Sequence, residues 1–134
     1  MHASRPQPLV QSFLVCREIT PAPSGGGLML VTPLDGVAAS SFPAEIPLSA
    51  YAHLTDAHGR YVVGLQLVDS DGEVVWAMDR PGVVEEPDPL SQHRVTFPDV
   101  RVRFPRVGRY DLILVVNGEA LAQHALRVRE MASP

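Results

Sequence analysis

From Tyr110 onward apolar and polar positions alternate. Tyr110, Leu112, Leu114 and Val116 fall on one face, and the other face begins with Arg109 and Asp111. A period of two is that of a half-buried β-strand. Asn117-Gly118 follows, a pair that tolerates the positive φ values of a type I′ turn, so the chain is predicted to return antiparallel through Glu119 to His124. The same period recurs in Arg60 to Asp69, where Tyr61, Val63, Leu65 and Leu67 oppose Val62, Gly64, Gln66 and Val68. With both faces partly apolar, this segment is expected to be a central strand, or one covered by another element or a partner. Glu73 to Asp79 places Val74, Trp76 and Met78 inward, with Trp76 as the core anchor, and Gln92 to Phe104 sets Val100, Val102 and Phe104 against Arg101 and Arg103, interrupted at Pro98. Leu9 to Glu18, Leu28 to Val31 and Ser49 to Thr55 read as further strands.

Turn chemistry divides these segments. Asp56-Ala57-His58-Gly59 and Asp69-Ser70-Asp71-Gly72 both suit tight turns, predicting a hairpin at each. Thr32 to Pro47, with three prolines and an Asp35-Gly36 turn, reads as a long loop, and Arg80 to Ser91, with three prolines and three acids, as a surface connection between sheets. No stretch has helical periodicity. Seven to nine short strands specify an all-β, antiparallel β-sandwich forming one domain over residues 1–134, with residues 1–8 and 131–134 as flexible tails.

Ahead of the Asn117-Gly118 hairpin, Pro105, Gly108 and Tyr110 form a P-x-x-G-x-Y pattern. It resembles the corner of immunoglobulin-like sandwiches, where a tyrosine hydroxyl ties down the preceding loop. Beyond the corner, four features resemble a family of small, functionally uncharacterised bacterial all-β proteins, a domain of unknown function. These are the early strand ending at Cys16, the Phe42-Pro43 segment before a strand, the G-R-Y-x-V stretch at Gly59 to Val63, and the V-x-F-P corner at Val102 to Pro105 with its N-G hairpin. Asp commonly follows the early cysteine in that family, whereas Arg17 follows it here. The resemblance implies an immunoglobulin-like fold and no activity.

Composition narrows the setting. A chain of 134 residues is long enough to bury roughly two thirds of its unfolded surface. Its one cysteine, Cys16, allows no internal disulfide, which points to a reducing, cytoplasmic compartment. The segment LVQSFLVC is too short and polar for a secretory signal, and Val15 stands where a lipoprotein signal resembles Gly, Ala or Ser. No run approaches the roughly 20 apolar residues of a membrane span. All 11 basic residues are arginine; residues 1–93 carry 4 Arg against 11 acids, net −7, and residues 94–134 carry 7 Arg against 4 acids, net +3.

That asymmetry singles out Arg101, Arg103, Arg109, Arg127 and Arg129 as a basic outward face on the last strands, paired in part with Asp99, Asp111 and Glu119. With a pI near 5.6, no lysine and few exposed aromatics, nucleic acid is a poor fit, and a protein partner or a second copy is the better one. A metal reading would join His53 and His58 to His93 or His124, but their spacing lacks the close pairs of a structural zinc site. Asp69 to Gly72 lacks the calcium-loop pattern, Gly25 to Gly27 lacks the lysine of a phosphate loop, and no G-x-S-x-G elbow is present. Cys16 in an apolar strand is expected to be inert. The sequence therefore predicts a non-catalytic module without cofactor or metal, working through protein contacts as a homo-oligomer, most simply a dimer. The competing expectation is a metal- or ligand-binding sandwich, possibly an enzyme, centred on His53 and His58.

Overall fold

Apolar alternation closes into two sheets. The computed structural model describes residues 7–23, 25–57, 59–86 and 92–131. Its strands are β1 (Leu9–Pro21), β2 (Leu28–Pro33), β3 (Gly36–Ala39), β4 (Ala44–Thr55), β5 (Gly59–Asp69), β6 (Val74–Ala77), β7 (Gly82–Glu86), β8 (His93–Phe104), β9 (Gly108–Val116) and β10 (Glu119–Glu130). A four-stranded sheet has the order β2-β1-β4-β8; a six-stranded sheet has the order β3-β10-β9-β5-β6, with β7 pairing the other end of β5. The protein is an all-β sandwich, and among the described residues there is no helix, hence none long and apolar enough to cross a membrane.

The core lies between the sheets. Val15, Leu48, Ala52 and Leu54 of the four-stranded sheet meet Tyr61, Val63, Leu65, Leu112 and Leu114 of the six-stranded one. Phe104 and Tyr110, either side of the corner that joins the sheets, pack edge to face at 5.4 Å and 78°.

Several expectations are corrected. Among the described residues the strands number ten, and one pairing, β3 with β10, is parallel. Asp56 to Gly59 is no hairpin. Its flanking strands lie in different sheets because both edges of β4 are taken by β1 and β8, and Ala57 is fully buried where the chain crosses. Thr32 to Pro47 is not simply a loop: Asp35-Gly36 opens β3, with Asp35 O accepting from Arg127 N at 3.0 Å, and β4 already begins at Ala44. Arg80 to Ser91 likewise contains β7, whose Val84 is buried opposite Tyr61; residues 87–91 lie outside the described residues.

A bulge in the β5–β6 ladder between Leu67 and Val68 changes the expected face of β6. Val74 points outward at 55% exposure, while Trp76, opposite Leu67, is half-buried against the core. Tyr61 and Phe104 are the largest fully buried side chains, so they and not Trp76 anchor the interior. The expected tails are tied down where described: Gln7 Nε2 donates to Glu119 Oε2 at 2.6 Å, Pro8 is buried, and Met131 N donates to Ala39 O at 2.8 Å.

Candidate functional site

The five arginines do not form one face. Arg101 and Arg103 lie on β8, outside the four-stranded sheet, where Arg101 reaches Glu45 at 3.7 Å. Arg109 on β9 and Arg127 and Arg129 on β10 lie outside the six-stranded sheet. The corner separates the groups, because the chain changes sheets at Pro105. There Tyr110 Oη donates to Arg106 O at 2.7 Å and accepts from Arg106 N at 3.3 Å, with Gly108 at φ 148°. Arg109 and Arg127 are direct cross-strand neighbours, a like-charge pair that costs stability. Among the described residues neither they nor Arg129 has a carboxylate within 4.0 Å; the ion pairs are Arg60–Glu85, Arg101–Glu45 and Arg106–Asp69 instead of pairs to Asp99, Asp111 or Glu119.

Beside this basic corner the outer face of the six-stranded sheet carries an apolar patch on β5, β9 and β7, with Gln66 and Asp111 among its outward residues. Inward-facing Tyr61, Val63, Leu65 and Leu67 leave Val62, Gly64, Gln66 and Val68 outward on β5. Ladder register places Val115 beside Gly64, Ile113 beside Gln66 and Val83 beside Val62. Val62 and Val83 are 42% and 51% exposed. Because Gly64 has no side chain, the face dips there into a hollow of about 180 Å³ walled by Val62, Ala77, Met78, Pro81 and Val115. At the same end of the face, three strands across from the arginines on β10, the turn from β5 to β6 exposes Asp71 and Glu73.

One residue read only as a turn former shapes this surface. Asn117, at φ 50°, and Gly118, at φ 81°, make the positive-φ pair of the hairpin. In addition Asn117 Oδ1 accepts from Val62 N at 2.9 Å, and Asn117 N donates to Val62 O at 2.8 Å. The hairpin tip is thus clamped to β5, which fixes Val115 against the hollow. Its role depends on a residue 55 positions away, so no local signal marks it.

The histidines are dispersed. His53, outside the four-stranded sheet, shares a hydrogen bond with Gln92 Oε1 at 3.1 Å. His93 is the cross-strand partner of buried Leu54, on the other face. His124 sits on the inner rim of β10 with Nε2 at 2.6 Å from Leu34 O, and β10 has a bulge between Ala120 and Ala122. His58 lies outside the described residues. Among the described residues no three His, Cys, Asp or Glu side chains gather to hold a metal. Cys16 is buried, its thiol donating to Glu18 O at 3.4 Å, and burial pushes the thiol's pKa up from the ordinary value.

Comparison with known proteins gives a family and little else. The profile described as Family of unknown function (DUF6941) matches residues 11–129. No curated protein matches. Among solved structures, the Pseudomonas fluorescens alkylpurine DNA glycosylase AlkC, bound to DNA containing an abasic site analog, is similar at 18% identity and a TM-score of 0.42. The likeness covers 87% of this chain and 30% of that one, so this chain spans under a third of the glycosylase, and no function crosses over.

Proposed function

The chain belongs to the family of unknown function DUF6941, and we propose that it is a non-catalytic, immunoglobulin-like module acting through protein contacts on the outer face of its six-stranded sheet. The observation that carries this reading is the apolar patch of exposed Val62 and Val83 with half-buried Val68, Ile113 and Val115 around the Gly64 hollow, bordered by three arginines with no carboxylate within 4.0 Å among the described residues. An apolar centre with a charged rim is the composition of a protein interface. Splitting the arginines over two sheets leaves no continuous basic track, which argues against nucleic acid. A cytoplasmic setting belongs to the same proposal, since a fold with one buried thiol has no disulfide to keep oxidised.

Site-specific photo-crosslinking in the cell tests it. A photoreactive residue at Val83 should give a discrete protein adduct of defined composition, the chain itself included, and one at Arg103 on the opposite sheet should not. Equal labelling from both positions, or none from Val83, would overturn the assignment of this face.

A further inference from the structure

The patch has a shape that fits itself. We propose that its occupant is a second copy of this chain, docked face to face about a two-fold axis that runs parallel to the strands between β9 and β5. This rests on the assignment of the face above and names its partner.

Three features carry the proposal. The first is shape. Val115 and Gly64 are cross-strand neighbours at the same level of the β9–β5 ladder. An axis between these strands places β9 of one copy over β5 of the other, so Val115 of each copy descends into the Gly64 hollow of its mate. The projection and the depression are adjacent in one subunit, and the two-fold operation makes them complementary.

The second is charge. The same operation sets β10 over the partner's β6. Arg109 and Arg127 share one level of the β9–β10 ladder, next to that of Tyr110, and Tyr110 is itself level with Asp69 at the start of the β5–β6 turn. The arginines therefore come over the partner's turn, which exposes Asp71 and Glu73. The like-charge pair that is uncompensated in one subunit gains carboxylates from the other, twice per dimer.

The third is size. Four strand positions, β10 to β6, overlap their mates; at about 4.8 Å apart and with strands of roughly 30 Å they give a face of about 600 Å² in projection, the same order as the ~800 Å² per partner of a standard interface. Aligned packing of two such faces is the geometry that sheets adopt inside sandwiches.

Light scattering on the full chain through a dilution series tests the idea, with two sets of variants. Wild type should have dimer mass at micromolar concentration. Gly64→Val fills the hollow and should raise the dissociation constant at least tenfold. A Cβ at Gly64 would meet only Pro81 Cβ, at an ordinary 3.6 Å, so the fold should tolerate the change, which an unaltered circular dichroism spectrum would verify. Arg127→Glu and Glu73→Arg should each weaken the dimer several-fold, and the two together should restore it. Because β10 and β6 are three strand spacings apart, roughly 14 Å, rescue has to act between copies. A monomer at every concentration overturns the proposal. If Val83 still crosslinks a different protein in the cell, the face remains a docking site and only the second copy is excluded. A dimer indifferent to Gly64→Val and to the charge exchange overturns the geometry.

Discussion

At the scale of single residues, the fold depends on a few groups whose neighbours are distant in sequence. Tyr110 is 4% exposed and its hydroxyl is bonded to both backbone groups of Arg106. Tyr110→Phe leaves a carbonyl without its donor and should cost about 1–2 kcal/mol, read as a lower denaturation midpoint at unchanged slope. Gly36 is required by close approach: a Cβ there would lie 2.7 Å from the backbone oxygen of Arg127. Gly36→Ala must displace β3 from β10 and should cost about 1–3 kcal/mol by overpacking, with faster hydrogen exchange at the Arg127 amide that Asp35 accepts. Cys16 should resist alkylation in the native state. Burial pushes the thiol's pKa up, so at neutral pH it stays a thiol, and only the thiolate reacts. Stoichiometric labelling should appear only on unfolding; fast native labelling would contradict its placement.

At the scale of elements, the ladders are interrupted where side chains replace missing backbone partners. Ser49 stands opposite Pro98 and Asp99, one residue against two, and its hydroxyl accepts from Asp99 N at 3.0 Å while Asp99 takes φ 47°. Pro98 announced the bulge in the sequence, but Ser49, 2% exposed and 50 residues away, did not. Ser49→Ala should lose about 1 kcal/mol by leaving the part-buried Asp99 amide without its acceptor. Asn117 does the same at the hairpin tip. Asn117→Gly preserves the turn but removes the acceptor for Val62 N, so the Val62 amide should exchange faster while the rest of the β9–β10 ladder keeps its protection. An unchanged Val62 rate would show that the clamp contributes nothing.

At the scale of the whole molecule, one core joins both sheets, and neither sheet can bury its apolar face alone. Unfolding is therefore expected to be a single transition, with Trp76 fluorescence and far-ultraviolet circular dichroism giving the same midpoint. If two copies associate across the six-stranded sheet, that midpoint should rise with protein concentration, since mass action stabilises the associated folded state. Added salt should weaken the association without abolishing it, because the charged rim is screened and the apolar centre is not. The net −7 of the first 93 residues and +3 of the remainder do not become two halves of the molecule. The strands interleave, and what survives is a basic corner at Arg109, Arg127 and Arg129 and an acidic turn at Asp71 and Glu73.

The sequence by itself determined the all-β class, most of the strands, the positive-φ hairpin at Asn117-Gly118, the β5–β6 turn and the inward faces of β5 and β9. Each follows from period-two burial or from backbone conformations that few residues tolerate, and both are local properties. Only the tertiary structure decided which sheet each strand joined. Asp56 to Gly59 has the residues of a hairpin yet crosses the sandwich, because β1 and β8 occupy both edges of β4. The same cause divided the five arginines, since strands consecutive in sequence, β8 and β9, lie in opposite sheets. β3 and β7 escaped the sequence reading because strands of four and five residues carry too short a pattern. They exist because β10 and β5 offer free edges. The candidate surface was half legible. A second apolar face on Arg60 to Asp69 showed that something should cover it, but the hollow at Gly64 and the level of Val115 beside it come from strand register, which is fixed by pairing between segments about 50 residues apart.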